Sequence, residues 1–351
     1  MKKLISALLV LSLLTLALAG CGSKPAASSG SGSSGGAASD KTYEIKFATV
    51  GNETHQTTIG ANFFKEEVER LSNGRIKCTI FPNASLGGER EAAEGVKLGT
   101  IQMTIVTSDG ALPAWVPETQ VLSIPYLFAD KEEAYHVLDT MLQNEFAPKF
   151  EAQGFRHLGF TELGFRHFTN NVREVKSAED MKGLSIRVQE APIWFSLIEM
   201  LNATATPVPF NELYTALSQG MVDGQENPIT SIASSRFNEV QKYMVLDGHT
   251  YAAQSTLINK AFYDALPADL QKAVDDATAY ATKNQRKKIS ENEEKYLAEL
   301  KASGMIITEP DLDSFVKATE GLYKREEVTK LVDPALVEKV FAEIEAYRAS
   351  K

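Results

Sequence analysis

From Tyr43 onward the chain alternates between two apolar periods, and this alternation restricts its fold more than any other feature. Tyr43-Glu44-Ile45-Lys46-Phe47-Ala48 repeats every second residue, the spacing of a strand with one buried face. Ile59, Phe63, Val68 and Leu71 then recur at helical spacing, and Asn73-Gly74 supplies the stop. Ile76–Phe81 returns to period two and ends at Pro82. Gly88 to Leu98 suits a helix closed by Gly99, and Ile101–Val106 reads as a third strand. Strand, helix, strand, helix, strand implies α/β architecture, a parallel sheet with right-handed crossovers. A second series begins near His157 and includes strand Leu184–Val188, a helix around Leu213–Leu217 and a short strand near Val222-Asp223. Asp269 to Ser303 carries neither Pro nor Gly and reads as one helix, roughly 50 Å long. That exceeds one small domain, so the helix is expected to span two lobes.

Length agrees, since 351 residues are too many for one ordinary core. The first 40 residues stand apart. Met1-Lys2-Lys3 is a positive start, and the apolar run Leu4–Ala19 is short for a membrane span but suits a signal peptide. It ends in Leu18-Ala19-Gly20-Cys21, which resembles the bacterial lipobox and implies acylation of Cys21. Residues 22–39 are Gly, Ser or Ala at 16 of 18 positions, a flexible coil with a reach of about 25 Å. The reading is a signal peptide over 1–20 and an acylated cysteine with its tether over 21–40. The protein is thus expected outside the cytoplasm, lipid-anchored to the cell membrane. Gly22 lacks the Asp that commonly retains lipoproteins at an inner membrane, so a Gram-positive surface is favoured over a periplasm.

Composition excludes several functions. The formal net charge is −10, and losing Lys2 and Lys3 with the leader makes it more negative still. An acidic surface without any Lys/Arg-rich tract argues against nucleic-acid binding. With Cys21 acylated, Cys78 has no disulfide partner, and it falls on the Ile76/Ile80 face of its strand as a small buried residue. The five histidines show no metal spacing, and no phosphate-binding loop or nucleophile elbow occurs. No enzymatic activity, cofactor or metal is expected.

One ordered set of motifs carries more information. Gly164-Phe165-Arg166-His167-Phe168-Thr169-Asn170-Asn171 is followed by Asp180-Met181-Lys182-Gly183-Leu184-Ser185-Ile186-Arg187-Val188. Thr206-Pro207-Val208-Pro209-Phe210-Asn211-Glu212-Leu213-Tyr214 and Asp223-Gly224-Gln225-Glu226-Asn227-Pro228 come next. With Asn73-Gly74-Arg75-Ile76, Phe81-Pro82-Asn83, Leu86-Gly87 and Pro125-Tyr126-Leu127-Phe128, they resemble the DctP-type solute-binding proteins of TRAP (tripartite ATP-independent periplasmic) transporters. The resemblance covers about residues 41–300. It implies a two-lobed, periplasmic-binding-protein type II-like fold, with lobe I from 41–163 plus about 252–290 and lobe II from 164–251 plus about 291–351. A monomer that closes over a small carboxylate ligand and delivers it to the small and large TRAP permease subunits is expected.

The candidate site follows. Arg187 lies on the opposite face of its strand from Leu184, Ile186 and Val188, and a guanidinium matches a carboxylate with two charge-assisted hydrogen bonds. The resemblance implies that Arg187 grips the ligand carboxylate, that Arg166 lines the cleft as a second arginine and that Asn227 donates to the ligand. It also suggests Phe210 as an aromatic wall and Glu89 and Glu190 as polar contacts, while His55, on the loop after the first strand, and Asn170 are further candidates to hydrogen-bond the ligand's hydroxyls. Where sialate-binding members carry a Glu and an Arg, this chain has Thr107 and Gly110, which speaks against sialate. A hydroxylated monocarboxylate such as a uronate is favoured. The alternatives are a C4-dicarboxylate, or a sensing lipoprotein that feeds a receptor instead of a permease.

Overall fold

The computed structural model describes residues 41–351, so the expected signal peptide, Cys21 and the tether lie outside the described residues. Among the described residues the strands are β1 (Tyr43–Ala48), β2 (Ile76–Phe81), β3 (Met103–Thr107), β4 (Phe155–Asn170) and β5 (Ser185–Val188), followed by β6 (Thr204–Pro207), β7 (Gly224–Pro228), β8 (Tyr243–Val245), β9 (Tyr251–Asn259) and β10 (Ile306–Thr308). The sheet order is β2-β1-β3-β9-β4-β7-β5-β6, with β8 joined to β4 and β10 joined to β8.

β1 pairs in parallel with β2 and with β3, as the first alternation predicts. The helix between β1 and β2, Gln56–Leu71, begins just after His55, whose side chain accepts the Thr57 N–H as an N-cap. Its inward face is Ala61, Phe64 and Val68, packed on Ile45, Phe47 and Ile76, while the predicted Phe63 sits half-buried beside that cluster. Each large side chain buried there contributes about 1.5–3 kcal/mol. Cys78 faces the same cluster as a free cysteine. Burial pushes its thiol up to about 12, so it stays unreactive.

The second half of the sheet departs from the sequence reading in two places. The series expected to begin near His157 opens with one 16-residue strand, β4. Its Phe155–Phe165 segment pairs with β9, and from Arg166 to Asn170 the partner is β7. Register shifts fall between His157 and Gly159 and between Glu162 and Gly164, where the glycines at φ 142° and 117° absorb an extra residue without ending the strand. The strand expected near Val222-Asp223 lies instead at Gly224–Pro228, and it is buried throughout. Asn227-Pro228 thus belongs to a strand rather than a turn, its backbone held opposite His167 and Arg166.

The long helix runs over Ala268–Ala302, within one residue of expectation at each end. It packs on helix Gln56–Leu71 beside β1 and on helix Ile229–Ser234 beyond β7, so it touches both halves. Midway, Gln285 Nε2 donates to the Glu162 carbonyl at 2.6 Å, and its Oε1 accepts the Glu162 N–H at 3.0 Å. This two-bond clasp sits at the second irregularity of β4. The last helix, Pro334–Ala349, returns to helix Lys131–Val137, where Arg348 grips Glu133 at 2.7 and 2.8 Å. The C-terminal segment therefore packs on the stretch between β3 and β4.

Buried histidines give the fold a defined pH response. Burial lowers His55 and His157 to about 3 and His167 to about 4, so all three are neutral inside the protein. Their contribution is complete above the unfolded value of 6.5 and is lost as pH falls from there toward 4. Asp109, raised to about 6 chiefly by burial, offsets part of that loss. The melting temperature should therefore fall steadily between pH 6.5 and 4 in scanning calorimetry. A flat profile across that interval would contradict the burial of these rings.

Candidate ligand-binding site

A partly open cavity lies where β3, β4, β5 and β7 end or change partner. The sequence-predicted residues His55, Glu89, Arg166, Arg187, Phe210 and Asn227 all line it. An adjoining cavity shares Glu89, Arg187 and Phe210 and adds the exposed Glu190. Asn170 is not brought to either. It lies four residues beyond Arg166 on β4, roughly 13 Å along the strand. There its Oδ1 accepts the N–H groups of Val172 and Arg173, each at 2.9 Å. It is a strand-end cap, and the expectation that it contacts the ligand is corrected accordingly.

The two arginines are electrostatically different. Arg166 Nη2 donates to Glu226 Oε1 at 2.8 Å and to the Glu226 carbonyl at 2.7 Å, and its Nε also grips that carboxylate. Nη2 reaches Asn227 Oδ1 at 3.2 Å, and the guanidinium carbon lies 5.3 Å from the centre of the Trp194 ring. Behind Glu226, His249 Nε2 is 3.4 Å from its carboxylate, and His249 Nδ1 is 2.7 Å from Asp247. Burial disfavours the His249 charge, but Asp247 and Glu226 outweigh it and raise the ring to about 9. Burial likewise works against the Glu226 charge, yet Arg166 and His249 hold that carboxyl below its ordinary value. Arg166, Glu226, His249 and Asp247 thus form a buried cluster whose charges cancel.

Arg187 has no such compensation. It is 3% exposed, and its recorded hydrogen bond runs from Nε to the Val208 carbonyl at 2.7 Å. Among the described residues no carboxylate lies within salt-bridge distance of it, so its outer nitrogens face the cavity uncommitted. Burial, reinforced by the nearby Arg166 charge, pushes it down to about 10 against the pull of Glu226, Glu89 and Glu190. β5 places it there: Ile186 and Val188 enter the apolar cluster, and the residue between them must point the other way.

Glu89 opens helix Glu89–Leu98, and its Oε1 accepts from Thr107 N at 2.9 Å and Thr107 Oγ1 at 2.7 Å. Burial raises its carboxyl despite those bonds. His55 Nδ1 is 2.8 Å from Thr57 Oγ1, and its Nε2 lies 3.4 Å from Ser231 Oγ, across from the β1 half. Phe210 packs beside it, with ring centres 5.4 Å apart. The sequence reading missed Glu226, Gln189 and Gln254. Glu226 stood inside a quoted motif, but its partner Arg166 is 60 residues away and no local period links them. Gln189 was findable, because it continues the strand alternation of Arg187 by two positions.

The site is thus a cleft with a buried cation where the two parts of the sheet meet. Residues 47–329 match the DctP family, described as bacterial extracellular solute-binding protein, family 7, and the chain belongs to that family. A solute-binding protein of Verminephrobacter eiseniae is 42% identical over 283 residues, covering 80% of this chain and 84% of its own length. The 2,3-diketo-L-gulonate-binding periplasmic protein YiaO of Escherichia coli is 33% identical over 275 residues, covering 78% and 84%. The crystal structure of a TRAP periplasmic solute-binding protein from Polaromonas sp. JS666 bound to D-erythronate matches with a TM-score of 0.82 at 36% identity, covering 86% of this chain and 99% of that one. The resemblance read from the motifs is thereby borne out, and so is the two-lobed type II-like α/β fold. The family supplies solute-binding components of transport rather than enzymes.

Proposed function

We propose that this protein captures a hydroxylated monocarboxylate, a sugar acid of the aldonate or uronate kind, and delivers it to TRAP permease subunits. The observation that carries this reading is Arg187, a buried guanidinium that faces a cavity without a carboxylate partner among the described residues. A ligand carboxylate would supply the missing charge and accept two parallel hydrogen bonds. Arg166, already committed to Glu226, would act mainly by fixing the wall and Asn227. Glu89 and Phe210 face the rest of the solute, and Glu89 would repel a second carboxylate, which disfavours a C4-dicarboxylate. The D-erythronate carried by the Polaromonas relative supports the same chemistry.

In this reading the lobes, 41–163 with about 252–290 and 164–251 with about 291–351, close over the acid. Contacts that exist only in the closed state shift the equilibrium toward it. Acylation of Cys21 would hold the protein at the outer face of the membrane on the 22–39 tether. A thermal-shift panel tests the ligand class. At 100 times its Kd a true ligand adds about 2.7 kcal/mol of apparent stability. Aldonates and uronates should raise the melting temperature, and succinate or malate should not. Stabilisation by the dicarboxylates alone would replace the sugar-acid assignment.

A further inference from the structure

Two cavities meet at the site, and Gln189 lines both. It is 6% exposed, and its Nε2 is buried with no hydrogen-bond partner among the described residues. A buried amide donor left unpaired is disfavoured, so its place calls for a second group. Across from it stands Gly110, in the segment after β3. A Cβ on Gly110 would lie 2.0 Å from Gln189 Oε1 and 2.7 Å from its Cδ, so only the absence of a side chain lets the amide rest there. The backbone of Gly110 is not in the left-handed region, which leaves this close approach as the reason for glycine. Gln254 lines the inner cavity, opposite Thr107 in the β3–β9 register, and its buried Oε1 is likewise unpartnered among the described residues. The inner cavity therefore offers one free amide donor and one free amide acceptor besides Arg187.

We propose that Gln189 is a ligand-contacting residue that determines specificity by length. Its Nε2 donates to a solute oxygen, and its side chain, resting on Gly110, partitions the inner cavity beside Arg187 from the outer one beside Glu190. The proposal rests on Arg187 as the carboxylate anchor. With the carboxylate there, a short hydroxy acid ends against Gln189, accepts from its Nε2 and donates a hydroxyl proton to Gln254 Oε1. A six-carbon acid has to push the amide off Gly110 to enter the outer cavity. The assignment narrows the sugar acids to short ones, away from the uronate favoured by sequence.

Titration calorimetry with D-erythronate and D-galactonate tests the partition. Wild-type protein should bind the four-carbon acid more tightly. Gln189→Ala should weaken erythronate at least about tenfold and move the erythronate-to-galactonate affinity ratio at least about tenfold toward galactonate, since a desolvated hydrogen bond and a barrier both disappear. Gln189→Met, which keeps the bulk and lacks the donor, should weaken both acids and leave the ratio nearly unchanged. If Gln189→Ala does not fold, Gly110→Ala displaces the amide from the other side and should move the ratio the same way. A ratio unmoved by Gln189→Ala and Gly110→Ala, or a wild-type preference for galactonate, overturns the partition and leaves the Arg187 anchor standing. Wild-type protein that binds neither acid overturns both.

Discussion

Replacing Arg187 with methionine should lower affinity for the bound acid at least about a hundredfold while leaving the ligand-free protein as heat-stable as before, or more so. The two halves of this result have one cause. In the fold the guanidinium is buried with Nε on the Val208 carbonyl and, among the described residues, no carboxylate within salt-bridge distance, so the fold bears the desolvation of a charge. Its lowered value, about 10, records the same fact. A cation whose folded value is depressed weakens the fold at neutral pH, and the penalty fades as pH rises through that value. An apolar side chain of similar length removes the penalty. The ligand reverses the sign, because a carboxylate placed there would gain a desolvated ion pair, and a hundredfold loss corresponds to about 2.7 kcal/mol. Calorimetric titration and scanning calorimetry read the two quantities separately. An unchanged Kd would remove Arg187 as the anchor, and a melting temperature lowered by several degrees would show that its charge is compensated after all.

Arg166 should give the opposite pattern. Arg166→Met leaves Glu226 buried, fully enclosed and deprived of its bidentate partner, with His249 as its remaining ion-pair contact among the described residues. Breaking a buried pair from one side costs about 3–5 kcal/mol, which for a chain of this size lowers the melting temperature by roughly 6–10 °C. Glu226→Gln should cost less, since the amide still accepts from Arg166, and the pair Arg166→Met with Glu226→Leu should recover much of the loss because neither member of the pair is left buried without its partner, while His249 keeps Asp247. With Glu226→Leu alone added, the comparison is a double-mutant cycle, and additive losses in the double variant would show that the pair is not the unit of stability. Loss of affinity without loss of stability at Arg187, against loss of both at Arg166, separates a ligand anchor from the wall that holds it.

How far such roles were legible depended on whether the responsible period was local. β1, β2 and β3, the helices between them and the long helix are each set by apolar residues within a few turns, and their predicted positions agree with the structure closely. Arg187 was legible for the same reason, as the polar residue inside an apolar strand. β7 was not. Gly-Gln-Glu-Asn-Pro reads as a turn, and only burial against β4 and β5, with Arg166 neutralising Glu226, makes it a strand. β4 hid for a related reason, since Gly159 and Gly164 look like breaks until the pairing with β9 shows that they carry irregularities. Asn170 was misplaced because it shares a motif with Arg166, and nearness in a strand does not mean a common site: the chain travels away as fast as it extends.

The clasp of Gln285 on Glu162 belongs to a wider arrangement. β4 changes partner midway, the chain returns through Thr250 into β9, and the long helix rests on both halves. The polypeptide therefore crosses the sheet more than once, and the side that holds β1 takes β9 from a distant stretch of sequence. No single cut yields a fragment holding all of one half, so engineering that isolates one should start from a circularly permuted or stitched gene rather than from a truncation.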